Sequence, residues 1–141
     1  MRIINPFSGR PADYDRNPTT KNLGNASLSQ VPTAFTIGTY TVPSGRKFRI
    51  ASLWQSLVRQ TVAGTPSVVQ ISFDVVPSGG SSRRIAEIHF WTNVAGDHKE
   101  AGFGSSGILL AGDQITANFS DNSTGGTTDR NGGLLGTEFD A

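Results

Sequence analysis

Residues 40–58, Tyr-Thr-Val-Pro-Ser-Gly-Arg-Lys-Phe-Arg-Ile-Ala-Ser-Leu-Trp-Gln-Ser-Leu-Val, decide the fold of this chain. They predict the end of one strand, a tight turn at Pro43-Ser44-Gly45 and a long second strand. Proline fixes φ at the first corner of such a turn, and glycine accepts the positive φ that a type II turn requires. The stretch therefore predicts a hairpin around which the rest of the chain is organised.

The second strand of this hairpin has the period-2 alternation of a strand with one buried and one exposed face. One parity carries the apolar residues Phe48, Ile50, Trp54 and Val58. The alternation is imperfect, because two serines fall on the apolar side and two leucines on the polar side. These are Ser52, Ser56, Leu53 and Leu57. On this parity Trp54 is predicted to pack in the core.

Strand patterns recur at intervals of about ten residues through the rest of the chain. The predicted strands lie within residues 33–40, 46–60, 69–75, 85–94, 100–103, 108–110, 114–119 and 134–139. Residues 121–133 have the composition of a polar loop. Because no helical period competes, we expect an all-β, jelly-roll-like β-sandwich of about seven or eight antiparallel strands. Its first and last strands are expected to pair.

The first 32 residues differ in kind from the strands that follow. They hold four of the seven prolines, and no strand or helix period fits them. Apolar side chains are nevertheless spaced along the segment, which is typical of an extended arm that lies on another surface. The sequence therefore predicts an N-terminal arm over residues 1–32 and a β-sandwich domain over residues 33–141. A disordered terminus is the alternative.

Composition limits the classes of function. A chain of 141 residues fits one domain, and its net charge of +1 provides no argument for a nucleic-acid or anionic-membrane partner. It contains no cysteine, which excludes disulfides, thiolate catalysis and cysteine-ligated zinc. The N-terminus lacks the apolar region of a signal peptide, and no apolar run reaches the length of about 20 residues that spans a bilayer. We expect assembly in a cytoplasm.

No arrangement of residues predicts catalysis or a cofactor. Asp97-His98-Lys99-Glu100 groups three metal-ligand types, but consecutive side chains of an extended chain point in opposite directions. The protein is therefore expected not to be an enzyme. Trp91 and Ile85 fall on the outward parity of their strand, which favours an interface, since tryptophan is enriched in interfaces.

Three stretches resemble the small structural proteins of tailed bacteriophages, in particular capsid decoration (cement) proteins. They are Asn5-Pro6-Phe7-Ser8-Gly9-Arg10-Pro11 with Tyr14-Asp15-Arg16-Asn17-Pro18, then Tyr40-Thr41-Val42-Pro43-Ser44-Gly45-Arg46-Lys47, then Leu109-Leu110-Ala111-Gly112-Asp113-Gln114-Ile115. The resemblance implies a virion protein on the outer capsid surface, a homotrimer whose partner is the major capsid protein. Nucleic acid, membrane and cofactor are not among its expected partners.

The same resemblance implies that the arm makes the contacts with the capsid or a neighbouring subunit. The arm residues expected there are Ile3, Ile4, Phe7, Arg10, Tyr14 and Arg16. The alternative is a head-fibre or tail module that binds a host-surface carbohydrate through Trp91 and the predicted loop at residues 121–133.

Overall fold

The structure, a computed structural model, describes residues 18–28, 33–61, 67–92, 94–104, 107–121 and 126–141. Within these residues the chain forms nine strands and no helix. The strands are β1 (Thr19–Leu28), β2 (Thr33–Thr41), β3 (Arg46–Thr61), β4 (Ser67–Val76), β5 (Arg83–Thr92), β6 (His98–Gly104), β7 (Ile108–Leu109), β8 (Gln114–Asp121) and β9 (Thr127–Asp140).

The strands form two antiparallel sheets that pack face to face. One sheet has the order β1-β9-β3-β6, with the short β7 also paired to β3, and the other has the order β2-β8-β4-β5. The pairs β1–β9, β2–β8, β3–β6 and β4–β5 are those of one long hairpin rolled into a sandwich, which is the jelly-roll arrangement. The predicted all-β sandwich is confirmed. The predicted pairing of the first and last strands is wrong for the strands named, because residues 33–41 form β2 and pair with β8, whereas β9 pairs with β1.

The turn at residues 43–45 forms as predicted, but it does not close a hairpin. The Arg46 amide donates to the Pro43 carbonyl at 3.2 Å, and Gly45 has a φ of 73°. The strands on either side lie in different sheets, because β2 pairs with β8 whereas β3 pairs with β9 and β6. Val42 is hydrogen-bonded to the corner between β7 and β8, through Asp113 O and Gly112 N, both at 3.0 Å. The corner between β2 and β3 and the corner between β7 and β8, at which the chain passes from one sheet to the other, are therefore hydrogen-bonded to each other.

A β-bulge at Ala51 explains the imperfect alternation in β3. The register against β9 shifts between Ile50 and Ser52. A bulge adds one residue, so every later side chain of the strand changes face. Leu53 and Leu57 are consequently buried, each with 1% of its surface exposed, and Trp54 lies on the outer face. The predictions that Trp54 and Val58 face the core are wrong for this reason.

Two further boundaries differ from the prediction. Residues 19–28, expected in the arm, form β1, which pairs with β9 and buries Leu23 in the core. The sandwich therefore begins before residue 33. Strand β9 begins at Thr127, so the predicted loop at residues 121–133 is in part an ordered strand. Of the rest of the predicted arm, residues 1–17 and 29–32 lie outside the described residues.

The core between the sheets is apolar at one end and contains buried ions at the other. The larger apolar cluster contains Leu23, Val42, Phe48, Ile50, Leu53, Phe73, Val75, Leu109, Ile115, Ala117 and Leu134. A smaller cluster contains Leu57, Val69, Ile71, Ala101 and Phe119. Beside it, Arg59 and Asp121 form an ion pair, with Nη1 and Oδ2 3.1 Å apart, and their side chains are 0% and 2% exposed.

Arg130 lies near this pair, with its guanidinium 4.1 Å from the centre of the Phe119 ring. Burial lowers the pKa of Arg130 to about 10, against the opposing effect of the Asp121 and Asp129 carboxylates. Arg130 also donates to the Thr128 carbonyl at 2.7 Å. A carboxylate and two arginines therefore connect β8 with β3 and β9 inside the sandwich.

Candidate functional site

The first candidate site is the outer surface of β5, which we call the β5 surface and define as Ile85, Glu87, His89 and Trp91. Among the described residues, strand β5 lies at the edge of its sheet and pairs with β4 alone. Trp91 is 70% exposed and Ile85 is 38% exposed, so both predicted interface residues lie on the surface. The register shifts between Phe73 and Asp74 of β4, which leaves Ile85 as the bulged residue of β5.

Polar groups separate the two apolar residues of the β5 surface. Glu87 accepts hydrogen bonds from Arg84 and from Gln70, the latter at 2.8 Å, and its Oε1 lies 2.8 Å from Nε2 of His89. The hydrogen bond with His89, followed by that with Arg84, lowers the pKa of Glu87 to about 2. The surface therefore presents a fixed carboxylate between two apolar side chains about 20 Å apart along the strand.

The remaining predicted site residues lie outside the described residues. These are Ile3, Ile4, Phe7, Arg10, Tyr14 and Arg16. Their contact with a capsid or a neighbouring subunit stays a prediction.

The second candidate site is the outer face of the five-stranded sheet, which sequence reasoning missed. Directly paired residues of an antiparallel sheet project to the same side. Trp54 pairs with Gly133 of β9 and with Gly102 of β6. A Cβ atom on Gly133 would lie 2.5 Å from the indole atoms Cε2 and Cζ2, so the ring lies across the neighbouring strand at this glycine.

One step along the strands, a polar row crosses the same face. Ser56 of β3 pairs with Asn131 of β9 and Glu100 of β6, and Asn131 pairs with Asn25 of β1. Two shallow depressions lie along this row and share Ser56. One, of about 400 Å³, extends towards β1, and the other, of about 320 Å³, extends towards β6 beside Trp54.

The Asp97–Glu100 segment does not converge on one point. Asp97 is paired with Lys99 at 3.2 Å, and Glu100 is paired with His98 at 3.2 Å. In the described part of the chain, no three His, Asp or Glu side chains are grouped closely enough to hold a metal ion. Nor does that part contain a helix of the length and hydrophobicity that would cross a bilayer.

No protein-family model matches the sequence. No curated protein matches it either. Among solved structures, the fold is similar to infectious bursal disease virus VP2 in a subviral particle, with a TM-score of 0.53, 10% identity and 90% of this chain covered. It is also similar to a chain of the Gx strain of that virus, with a TM-score of 0.52, 11% identity and 91% coverage.

Dimeric latent PorU from Porphyromonas gingivalis matches as well, with a TM-score of 0.53, 13% identity and 87% of this chain covered. The chain spans about a third of the viral chains (34% and 33%) and 12% of the PorU chain. At such identities these likenesses show the fold alone. The same sandwich is thus present in a viral capsid protein and in a bacterial protein, and function must be argued from surfaces.

Proposed function

We propose that the protein is a non-enzymatic virion surface protein of the bacteriophage decoration type. It binds the outer head surface, stabilises contacts between capsomers and assembles as a homotrimer with the major capsid protein as its partner. The observation that carries the proposal is the β5 surface, where Trp91 and Ile85 are exposed on a strand that ends its sheet within the described part of the chain. The jelly-roll topology supports it, because viral capsid proteins commonly use this architecture.

In this proposal the β5 surface docks on the head and residues 1–17 reach a neighbouring subunit. Tryptophan at the centre of an interface is a frequent anchor of binding energy, and each apolar arm residue would contribute about 1.5–3 kcal/mol if fully buried. Two linked contacts raise the overall affinity above that of either one alone. A shell-wide tie between capsomers requires this kind of bivalent, non-catalytic binding.

The first test is the copy number per purified virion of the virus that encodes the protein, measured by quantitative mass spectrometry against the major capsid protein. Hundreds of copies are expected for a decoration protein. A few tens of copies would indicate a fibre or tail component, and absence from the particle would refute a virion role. Light scattering of the purified protein should give three times the mass of the chain.

The second test measures binding of purified variants to heads that lack the protein. Trp91→Ala should weaken binding at least tenfold, since truncating an interface tryptophan commonly costs 2 kcal/mol or more, about thirtyfold. Leu110→Ser is the matched control, because Leu110 is 54% exposed but lies at the corner between β7 and β8. Equal binding by the two variants would exclude the β5 surface as the docking site.

The arm is tested by deleting residues 1–17, which leaves all nine strands in place. This variant should keep the stability of the domain and lose head affinity. Deleting residues 1–28 instead removes β1 and should destabilise the domain, because the partner edge of β9 and the core around Leu23 become exposed. If the shorter deletion binds heads as tightly as the full chain, the arm does not contribute.

A further inference from the structure

The outer face of the five-stranded sheet carries groups that the virion role does not use. Trp54 lies between Gly133 and Gly102, so neither directly paired position places a side chain beside the indole. A Cβ atom on Gly102 would meet nothing within 4 Å, which means that the space over β6 next to the indole is open. An aromatic ring on a rigid sheet, bordered by open space, is suited to stacking with a flat apolar surface.

The neighbouring polar row provides hydrogen-bonding groups at fixed positions. Asn25, Asn131, Ser56 and Glu100 lie side by side on four adjacent strands. Because adjacent strands are 4.7–4.9 Å apart, the row extends over about 14 Å. Among the described residues the Oδ1 atom of Asn131 has no hydrogen-bond partner, but this atom is shielded from solvent. The exposed side chains of the row, those of Asn25 and Glu100, are the ones that a ligand can reach.

Beside the two depressions the outward charges are those of carboxylates, whereas Lys47 and Arg49 of the same face lie further along β3, where they pair with Phe139 and Thr137. Glu100 borders the smaller depression and Asp129 borders the larger one. His98 lies 3.2 Å from Glu100, and Gln60 donates to Asp129 at 2.6 Å. Arg130 also borders the larger depression, but its guanidinium points into the core against Phe119. An anionic ligand would meet like charge here, whereas carboxylates and amides readily accept hydrogen bonds from hydroxyl groups.

We propose that this face binds a neutral oligosaccharide, which stacks one sugar ring on Trp54 and hydrogen-bonds along the Asn25–Asn131–Ser56–Glu100 row. A pyranose ring combines an apolar C–H face with a rim of hydroxyl groups, which matches an indole beside amide and carboxylate groups. The two depressions share Ser56 and are open to solvent, so they accommodate a short chain of sugars rather than a single buried one. The proposal does not depend on the virion role.

The experiment is a glycan array containing neutral and sialylated oligosaccharides, followed by calorimetric titration with the neutral oligosaccharide that gives the strongest signal. Trp54→Ala should weaken binding at least tenfold by removing the stacking surface. Gly102→Leu should do the same by filling the open space over β6, where a Cβ atom at this position meets nothing within 4 Å. Leu110→Ser is the matched control and should bind as the unmodified protein does, because Leu110 is exposed but borders neither depression.

The two tryptophans also allow a direct optical measurement. In a Trp91→Phe variant, Trp54 is the remaining tryptophan, and the neutral oligosaccharide should shift its emission and protect it from acrylamide quenching. Binding to sialylated glycans only, or to no neutral glycan on the array, overturns the proposal. A folded Gly102→Leu variant with unchanged affinity for the oligosaccharide also overturns the proposal. This second variant keeps the test valid if Trp54→Ala does not fold.

Discussion

Replacing Asp121 with asparagine should destabilise this protein more than any comparable change at its surface. The Asp121 carboxylate is 2% exposed and lies 3.1 Å from the Arg59 guanidinium, which is fully buried. A second guanidinium, that of Arg130, lies in the same region, and the Asp121 charge opposes the lowering of its pKa by burial. Asparagine keeps the shape of the side chain, removes its charge and replaces one acceptor oxygen with an NH2 donor.

The expected loss is about 3–5 kcal/mol, the usual cost of removing one partner of a buried ion pair. Two unit charges about 4 Å apart at an effective dielectric constant of about 20 attract each other by roughly 4 kcal/mol, which agrees with this range. Such a loss corresponds to a fall in Tm of roughly 10–20 °C for a domain of this size. It also lowers the urea midpoint by roughly 2 M for an m-value of about 2 kcal/mol/M.

The assay is urea unfolding followed by circular dichroism, with Asp140→Asn as the matched control. Asp140 also pairs with an arginine, Arg46, but these side chains are 92% and 37% exposed. An exposed pair contributes about 0–1 kcal/mol, so the control should shift little. If Asp121→Asn costs no more than Asp140→Asn, the carboxylate does not compensate the buried guanidinium groups and the argument is refuted.

Two further changes test the contacts between strands. Glu138 accepts a hydrogen bond from Tyr40, and this bond lowers the pKa of the Glu138 carboxyl. The stabilisation of the fold by the Glu138 carboxylate is therefore present above the unfolded-state pKa of about 4.3 and is lost as the pH falls through the lower folded pKa. The Glu138→Gln variant should therefore have a lower urea midpoint than the unmodified protein at pH 7, and this difference in midpoint should narrow below pH ~4. A constant difference in urea midpoint from pH 7 to 3 would contradict the prediction. Gly38→Ala should cost about 3 kcal/mol or more in thermal unfolding, since the new Cβ would lie 1.2 Å from the Leu23 carbonyl oxygen and force β1 away from β2. Gly102→Ala is its control and should change stability by less than about 0.5 kcal/mol; similar losses for both would show that the approach of β1 to β2 is not restrictive.

The sequence predicted the candidate surfaces unevenly. Trp91 was assigned to the surface correctly, because the pairing of β5 is uninterrupted from Ala86 to Thr92 and the local parity is sufficient. Ile85 is also exposed, but as the bulged residue that precedes this run. The Trp54 face was missed, because the bulge at Ala51 reverses the parity of β3. Ser52 and Ser56 were the sequence signal of this bulge. They fall on the apparent core side of the alternation, but both face outward because Ala51 adds one residue to the strand. Strand β1 was missed for a related reason: it lies at a sheet edge, and its register shifts between Asn22 and Gly24.

By itself, the sequence determined the strand content of residues 33–61 and 67–121 and the turn at residues 43–45. These features depend on local conformational preferences, the fixed φ of Pro43 and the positive φ accessible to Gly45, which neighbouring residues encode. Only the tertiary structure decided that this turn joins two sheets, that β9 extends back to Thr127, and that Trp54 faces outward. Sheet pairing joins residues that are far apart in the chain. The residue pattern of one strand shows neither which strand it pairs with nor where a bulge adds a residue.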